Sequence, residues 1–174
     1  MADEHTREIH WYTADPRGVL PLAEFRVPRS LRQEIRKGTF EIRVDTAFEA
    51  VIRGCASRAE TWISEELITS YVRLHEEGHA HSVEAWHADS LAGGLYGVAL
   101  GGAFFGESMF SAETGASKVC LVALVDRLLA RGFTLLDTQF VTEHLARFGA
   151  RAIPRAQYLA LLSDAVARPA RFVD

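Results

Sequence analysis

The sequence predicts an α+β fold in which a mixed, mostly antiparallel sheet is flanked by helices. Two observations support this prediction. Between residues 80 and 110 the pattern has a period of two and glycines recur, as expected for about three strands joined by short turns. Residues 117–132 are nearly apolar all round, as expected for a deeply packed helix. An antiparallel meander followed by a helix and a further strand forms a sheet with helices packed on it.

The elements before the meander are a short strand and two helices. Residues 40–44, "FEIRV", alternate between apolar and charged side chains as a strand does. Asp45 follows and can cap a helix through "TAFEAVIRGCA". A second helix is predicted to begin after Ser64 and to end at Gly78, because serine favours the N-cap and glycine the position after a helix.

The third strand of the meander, "AFFGESMF", carries a carboxylate in an apolar run. The turns that join the three strands of the meander are predicted near residues 88–90 and at 101–102. A period of two places Phe105, Glu107 and Met109 on one face of this strand. The opposite face then receives Phe104, Gly106, Ser108 and Phe110. Because both faces carry aromatic rings, the pattern leaves open whether Glu107 faces solvent or the interior.

The last strand, "FTLLDTQF", and two helices over residues 142–148 and 155–166 complete the chain. Asp137 and Gln139 are two residues apart in this strand, so their side chains are predicted to enter the same space. A buried face and a solvent face both remain open for this pair. The order of elements fits the acetyltransferase-like (GNAT-like) architecture, which has a cleft where the strands splay.

Composition indicates one compact domain, or a core domain with a small appendage, since 48% of the 174 residues are hydrophobic and 24% are charged. The net charge of −4 argues against general coating of nucleic acid, although residues 25–43 are locally basic. Neither a signal peptide nor a membrane span is predicted. Cys55 and Cys120 predict buried thiols in a reducing compartment. We therefore expect a cytoplasmic protein.

Three motifs approach known chemistry without matching it. His75, His79 and His81 are close in sequence, but the predicted helix end at Gly78 leaves their geometry undefined, so capping and strand-edge roles are favoured over a metal site. The segment "GESMFS" lacks the second glycine of a nucleophile elbow. The glycines of "GGLYGVALGG" fall within and between strands, and one glycine precedes the apolar helix, so neither a dinucleotide site nor a coenzyme A site is predicted.

Several segments, in order, resemble the leucyl/phenylalanyl-tRNA-protein transferase family. They are "DPRGV", "RSLR", "DTAFEAVIRGCA", "TWI", "YVRLHEEGHAHSVEAW", "LAGGLYGVALGGAFFGESMFS", "ASKVCLVALV", "LLDTQF", "TEHLARFGA" and "IPR". These segments extend from about Trp11 to about Leu162, and the blocks "GHAHSVE" and "FFGESMFS" are very specific.

The resemblance implies an enzyme with an acetyltransferase-like catalytic core. Such an enzyme moves leucine or phenylalanine, and sometimes methionine, from aminoacyl-tRNA to the N-terminal Arg or Lys of a protein. The new N-terminal residue marks that protein for degradation. Because the donor ester is already activated, no cofactor and no metal are expected. The expected partners are the 3′ acceptor end of aminoacyl-tRNA and the basic N-terminal residue of a substrate protein.

The same resemblance assigns the catalytic residues. Asp137 and Gln139 match the family's acid and amide, which position the acceptor α-amine and assist its attack on the ester carbonyl. Whether Asp137 holds Gln139 or relays a proton is left open. Glu107 matches a pocket glutamate whose negative charge suits a cationic group of a substrate. The hydrophobic pocket for the donor's side chain is expected at Leu95, Phe104 and Leu124.

Two regions are expected to bind tRNA. Trp62 is a candidate stacking surface for the terminal adenosine, and a plain core tryptophan is the alternative. Contacts to the phosphates of the acceptor stem are expected from Arg29, Arg32, Arg36 and Lys37, and a solvated helix face is the alternative there. Phosphate contacts of this kind would make binding salt-sensitive.

The chain also differs from the family. Longer members carry an N-terminal portion, and here Tyr12 replaces the family's second tryptophan and Ala14 replaces a proline. We therefore expect a reduced N-terminal segment over residues 1–40 and a catalytic domain over residues 41–174. Two alternative functions remain: aminoacyl-tRNA-dependent transfer to another amine acceptor, such as a small molecule or a dedicated peptide, and a non-catalytic RNA- or peptide-binding relative.

Overall fold

The computed structural model describes residues 14–58 and 61–174, so the expectations for Trp11 and Tyr12 fall outside the described residues. The strands are β1 (Arg17–Val19), β2 (Glu41–Val44), β3 (Ala80–His87), β4 (Ser90–Leu100), β5 (Ala103–Ser111), β6 (Leu135–Gln139) and β7 (Arg151–Ile153). The helices are α1 (Arg29–Lys37), α2 (Phe48–Ala56), α3 (Glu65–Glu76), α4 (Ala116–Ala130), α5 (Glu143–Ala146) and α6 (Arg155–Val166).

All these strands belong to one sheet in the order β2-β3-β4-β5-β6-β1-β7. Neighbouring strands are antiparallel except β5 and β6, which run parallel. A parallel pair needs a crossover connection, and α4 supplies it. The predicted α+β fold with a mostly antiparallel sheet flanked by helices is therefore confirmed.

Helices cover both faces of the sheet. A Cβ atom added at Gly93 would lie 2.6 Å from Ala116 of α4, whereas one at Gly94 would lie 2.9 Å from Val51 of α2. Because neighbouring residues of a strand point to opposite faces, α4 and α2 lie on opposite sides of the sheet. The glycines let both helices approach the backbone of β4 closely.

Helix α6 lies on the same face as α2 and α3. Phe105 of β5 packs against the apolar cluster that contains Tyr158 of α6. Its partner across the sheet is Val98 of β4, which packs against the cluster of α2 and α3. Paired residues of adjacent strands point to the same side. This face is therefore shared by two helical layers, with α3 on one side and α6 on the other.

Most predicted elements are present. The strand near residues 40–44, the three strands of the meander, the apolar helix and the strand that carries Asp137 are confirmed. Helix α3 has Ser64 as its N-cap, whose hydroxyl accepts a hydrogen bond from the backbone N–H of Leu67. The prediction did not include β1 and β7, because strands of three residues are too short to show a period.

The predicted cap of α2 is wrong. The carboxylate of Asp45 accepts hydrogen bonds from the backbone of Ser82 and from His81 instead. The N-terminus of α2 is satisfied by Glu84, whose Oε1 accepts from the backbone N–H groups of Thr46 and Ala47 at 2.9 Å. Glu84, which lies 37 positions from Ala47, thus replaces a local cap, and sequence spacing cannot reveal such a contact.

A β-bulge overturns the predicted faces of β5. Tyr96 of β4 is paired with Ser108, but Gly97 is paired with Gly106, so Glu107 is the inserted residue. Beyond the bulge the alternation shifts by one. Met109 joins Phe104 on the α4 side. Phe110 packs on the opposite side, against the cluster of α2 and α3.

The boundary expected at residue 40 runs through a single sheet, because β1 lies between β6 and β7. Helix α1 likewise packs on the main core through Leu31. Cys55 and Cys120 are free and buried, as predicted, and burial raises the pKa of each thiol to about 12. None of the helices described is long and apolar enough to cross a membrane.

Candidate active site

The site lies where β5 and β6 separate. Their parallel pairing ends at Phe105 and Asp137, and Glu107 and Gln139 follow two residues later on each strand. The side-chain amide Nε2 of Gln139 bridges the gap and lies 3.2 Å from Oε2 of Glu107. The residues that the sequence singled out on two separate strands are thus neighbours in space.

Asp137 is completely buried and fully hydrogen-bonded. Its Oδ2 accepts from Nη2 of Arg17 at 2.9 Å and from the hydroxyl of Tyr158 at 2.5 Å. Its Oδ1 accepts from Nε of Arg17 at 3.0 Å and from the backbone N–H of Gln139 at 2.7 Å. A buried carboxylate needs such partners, since an unpaired one would cost several kcal/mol.

Gln139 adopts a left-handed backbone conformation, with a φ angle of 60°. For a residue other than glycine such a conformation costs on the order of 1 kcal/mol. The hydrogen bond from its N–H to Asp137 holds the backbone in this state. The strained turn ends β6 and directs the amide toward Glu107, so Asp137 orients Gln139 through the backbone.

Glu107 is half-buried in the bulge of β5. Burial raises the pKa of its carboxyl, and this effect exceeds the opposing influence of the hydroxyl of Tyr71 and the amide of Gln139. The negative charge of Asp137 adds to the increase. A cation arriving beside Glu107 would offset the cost of burying this charge.

Arg17 and Tyr158 belong to the site, although the sequence did not single them out. Burial alone would lower the pKa of Arg17, but the hydrogen bond and charge of Asp137 raise it overall, so the guanidinium stays charged. Burial and Asp137 raise the pKa of Tyr158, so its hydroxyl stays a donor. The only available signal for Arg17 was its place in the "DPRGV" segment. Tyr158 had none, because it lies on a separate helix, α6, 21 residues after Asp137, and outside the segments quoted for the resemblance.

The residues expected to form the donor pocket lie on the α4 side of the sheet. Leu95, Phe104 and Leu124 are buried in the main core, and the ring of Phe104 stacks on Phe172 at 5.2 Å. Glu107 faces the side of α3, where Tyr71 lies. The two groups therefore lie on opposite faces of the sheet, and the pocket role of these three residues stays a prediction.

The residues expected to bind tRNA fall into two separate places. Trp62 is partly buried in the connection between α2 and α3 and packs on their cluster. The four basic residues of α1 are all exposed. Among them, Arg32 donates to the carbonyl of Val27 and Lys37 pairs with Glu34 at 2.8 Å. Because α1 packs on the α4 side, the structure does not bring Trp62 next to it.

The three histidines do not converge. His75 donates from Nδ1 to the carbonyl of Ala80 and stacks on Phe48. His81 is buried beside Asp45, at 2.7 Å, and stacks on Phe172, whereas His79 is exposed. Among the residues that the structure describes, no group of three or more His, Cys, Asp or Glu side chains could hold a metal ion.

Comparison with known proteins identifies relatives over most of the chain. A family model described as leucyl/phenylalanyl-tRNA protein transferase matches residues 19–163. A leucyl/phenylalanyl-tRNA–protein transferase of Paramagnetospirillum magneticum is 58% identical over 168 residues, which cover 94% of this chain and 80% of the relative.

Solved structures give weaker matches. A conserved protein of unknown function from Bacteroides thetaiotaomicron has a TM-score of 0.53 at 8% identity, covering 91% of this chain and 59% of that one. The structure of L-PGS from Bacillus licheniformis has a TM-score of 0.48 at 12% identity, covering 78% of this chain and 50% of that one. The chain thus spans 59% and 50% of the length of these two proteins, and the first of them shows a shared fold alone.

Proposed function

The chain belongs to the leucyl/phenylalanyl-tRNA protein transferase family, and we propose that it moves leucine, phenylalanine or methionine from aminoacyl-tRNA to the N-terminal Arg or Lys of a protein. The product carries a new apolar N-terminal residue that marks it for degradation. The observation that carries the proposal is the hydrogen-bonded series from Arg17 and Tyr158 through Asp137 and Gln139 to Glu107, where β5 and β6 separate.

The reaction forms an amide bond and releases tRNA. The α-amine of the acceptor attacks the ester carbonyl carbon, the bond between that carbon and the ribose oxygen breaks, and a proton passes from the amine to the leaving oxygen. Positioning the amine is the main task, because the ester is already activated. The Oε1 atom of Gln139 is suited to accept a hydrogen bond from the amine, since the Nε2 atom is turned toward Glu107.

Asp137 acts as a positioning residue in this proposal. Four donor groups occupy its two oxygens, which leaves little room for direct proton abstraction. Its charge is balanced by Arg17, and its contact with the backbone of Gln139 sets the direction of the amide. Proton transfer assisted by a positioned side chain is worth roughly a factor of 10² to 10⁴ in rate.

Glu107 is proposed to recognise positive charge on the acceptor. The α-ammonium group and the basic side chain of an N-terminal Arg or Lys are both cations, and a half-buried carboxylate binds a cation more strongly than an exposed one does. The ester's apolar side chain would enter the gap between β5 and β6 toward Leu95, Phe104 and Leu124. Such a pocket rejects polar side chains by roughly a few kcal/mol.

The tRNA would be bound by Trp62, which stacks on the terminal adenosine, and by the basic residues of α1, which contact phosphates of the acceptor stem. The acetyltransferase-like assignment is also part of the proposal, and the divergence of β5 and β6 after a short parallel pairing supports it. We place the protein in the cytoplasm, where its aminoacyl-tRNA donor is made.

A transfer assay tests the proposal. Radiolabelled Phe-tRNA or Leu-tRNA is offered with matched peptides that begin with Arg, Lys or Ala. We expect transfer to the first two, and Gln139→Ala should lower kcat roughly 100-fold. Arg73→Gln, which removes a charge on the exposed surface of α3, serves as the control and should keep wild-type activity. If the wild-type protein transfers to none of the peptides from any donor, the proposal is wrong. Equal transfer to the Ala peptide would indicate another amine acceptor.

A further inference from the structure

A surface cavity of about 560 Å³ opens beside the end of β5. Its lining includes Met109, Phe110 and Ser111, of which the first lies two residues after Glu107 along the strand. Successive strand residues advance about 3.3 Å, so the cavity begins roughly 7 Å from Glu107. It therefore adjoins the site described above without containing Asp137 or Gln139.

The cavity is lined by positively charged groups. Arg58 and Lys118 contribute side chains, and Lys118 is exposed at the surface. Arg58 is held against β5 by a hydrogen bond to the carbonyl of Met109. The lining that the structure describes contains no Asp or Glu side chain. In a protein with a net charge of −4, this concentration of positive charge is a local feature.

His144 adds a polar group that lacks a partner. It lines the same cavity, and its Nε2 atom is buried without a hydrogen-bond partner among the described residues. A buried polar atom in that condition costs roughly 1–3 kcal/mol. Burial, and the charges of Lys118 and Arg147, lower the pKa of this imidazole. A bound anion would give Nε2 an acceptor and reverse this effect.

The cavity also contains the start of α4. The N-cap residue of this helix is Gly115, which offers no side-chain cap. The hydroxyl groups of Ser111 and Ser117 lie 2.8 Å apart there. The backbone N–H of Ser117 donates to the hydroxyl of Ser111. Hydroxyl donors and the partial positive charge of a helix N-terminus add to the charges of Arg58 and Lys118.

From these observations we infer that the cavity binds a backbone phosphate of the nucleic-acid donor, the one next to its terminal adenosine. This inference rests on the proposed function, since it assumes that the reactive ester lies at Glu107 and Gln139. A phosphate there would be bound by Lys118, Arg58 and His144 together with the hydroxyls at the start of α4. It would anchor the end of the tRNA beside the reacting atoms, separately from α1.

The test uses two dinucleotides that differ only in charge. The cytidine–adenosine dinucleotide CpA carries one phosphate, and its methylphosphonate analogue is neutral. Calorimetric titration at low salt should give wild-type protein a Kd at least 10-fold lower for CpA. Lys118→Gln should abolish that preference, because it removes a cation from the cavity. Arg73→Gln removes a charge outside the cavity and should keep the preference.

Several results would overturn the inference. Equal affinity of the wild-type protein for the two dinucleotides would show that the phosphate is not recognised. A preference that survives in both Lys118→Gln and Arg58→Gln would place recognition elsewhere. Inorganic phosphate should compete only at millimolar concentration, and coenzyme A should bind no more tightly than CpA; the opposite order would identify a different anion as the ligand.

This experiment is independent of the transfer assay. Neither dinucleotide carries an amino acid, so binding can be measured even if the protein transfers nothing from Phe-tRNA. Absence of transfer would defeat the proposed function, whereas loss of the charge preference would defeat the phosphate site. When transfer is observed, the donor Phe-CpA should show a KM raised about 10-fold in Lys118→Gln, with kcat unchanged.

Discussion

Asp137 shows how single residues determine the site. The buried carboxylate is surrounded by Arg17, Tyr158 and the backbone of Gln139, so its charge and its orientation are both controlled. The sequence placed the side chains of Asp137 and Gln139 in one space, because they lie two residues apart on one short strand, and the family resemblance added Glu107. Arg17 and Tyr158 are separated from Asp137 by 120 and 21 residues, and no local pattern links them.

Replacing Tyr158 with Phe tests whether Asp137 must be held rigidly. The change removes the 2.5 Å hydrogen bond and leaves the ring in place. We expect a loss of about 1–2 kcal/mol in the free energy of unfolding and roughly a 10-fold lower kcat, with an unchanged KM for tRNA. Urea unfolding and steady-state transfer kinetics measure these effects.

Tyr96→Phe is the matched control. The hydroxyl of Tyr96 is buried without a partner among the described residues, so its removal should leave stability equal or higher. Similar losses in both variants would mean that the bond to Asp137 has no special role.

Glu107→Gln tests the cost of burying a charge. Burial raises the pKa of Glu107 in the folded state, so its contribution favours folding below the ordinary pKa of glutamate and is lost as the pH rises through the higher folded-state value. The variant should therefore be more stable than wild type at pH 7, and the difference should vanish below about pH 4. Urea unfolding across this range measures it, and a less stable variant at pH 7 contradicts the prediction. Transfer to an Arg-starting peptide should decrease.

At the scale of elements, a distant residue can replace a local signal. Helix α2 lies in the predicted segment but begins at Phe48, and Glu84 on β3 accepts from the backbone N–H groups of Thr46 and Ala47 just before it. Strand β5 likewise has the predicted extent, but the bulge at Glu107 changes which side chains face which helices. In both cases the period identifies the element, and pairing with another strand determines its orientation.

Glu84→Gln should destabilise the protein by about 2–4 kcal/mol at pH 7. The carboxylate accepts from Thr46, Ala47, Ser82 and Trp86, and an amide would turn a donor toward some of these donors. Although burial alone would raise the pKa of Glu84, these hydrogen bonds lower it overall. The stabilisation is thus present above the ordinary pKa of glutamate and lost as the pH falls through the lower folded-state pKa, so the difference in stability between variant and wild type should be smaller at pH 3 than at pH 7.

Denaturation followed by circular dichroism at pH 7 and pH 3 measures this effect. Glu49→Gln, on the exposed first turn of the same helix, is the control and should cost less than about 0.5 kcal/mol. A loss of similar size in both variants would contradict the capping role of Glu84.

Gly97→Ala tests the bulge. A Cβ atom at Gly97 would collide with the carbonyl oxygen of Phe105 and lie 2.5 Å from the ring of Phe104. We expect the free energy of unfolding to fall by at least about 2 kcal/mol, or the protein to fail to fold, because the backbone of Phe105 cannot move aside. Gly38→Ala is the control: it adds a methyl group in open space at a φ of 67°, so only about 1 kcal/mol of backbone strain is expected. Thermal unfolding of the two variants shows which of them loses more stability, and an equal or larger loss in Gly38→Ala would contradict the prediction.

For the whole molecule, one sheet joins the two ends of the chain at the site. Strand β1 lies between β6 and β7 and carries Arg17, while α6 brings Tyr158. A chain that starts at residue 41 should therefore lose transfer activity even if it stays soluble, because Asp137 would be buried without its cation. The transfer assay and circular dichroism measure this. An active fragment that unfolds cooperatively would contradict the prediction and support the boundary at residue 40.

The sequence by itself determined the type of fold, the extent of most helices and strands and the family, because periodicity and specific blocks of residues are properties of the chain. The neighbours of Asp137, the cap of α2, the faces of β5 and the cationic cavity beside Glu107 were decided only by the tertiary structure. The physical reason is that hydrogen bonds and charge act through space over a few ångströms, whereas the groups that they join can lie far apart along the chain, as do Arg17 and Asp137, 120 residues apart.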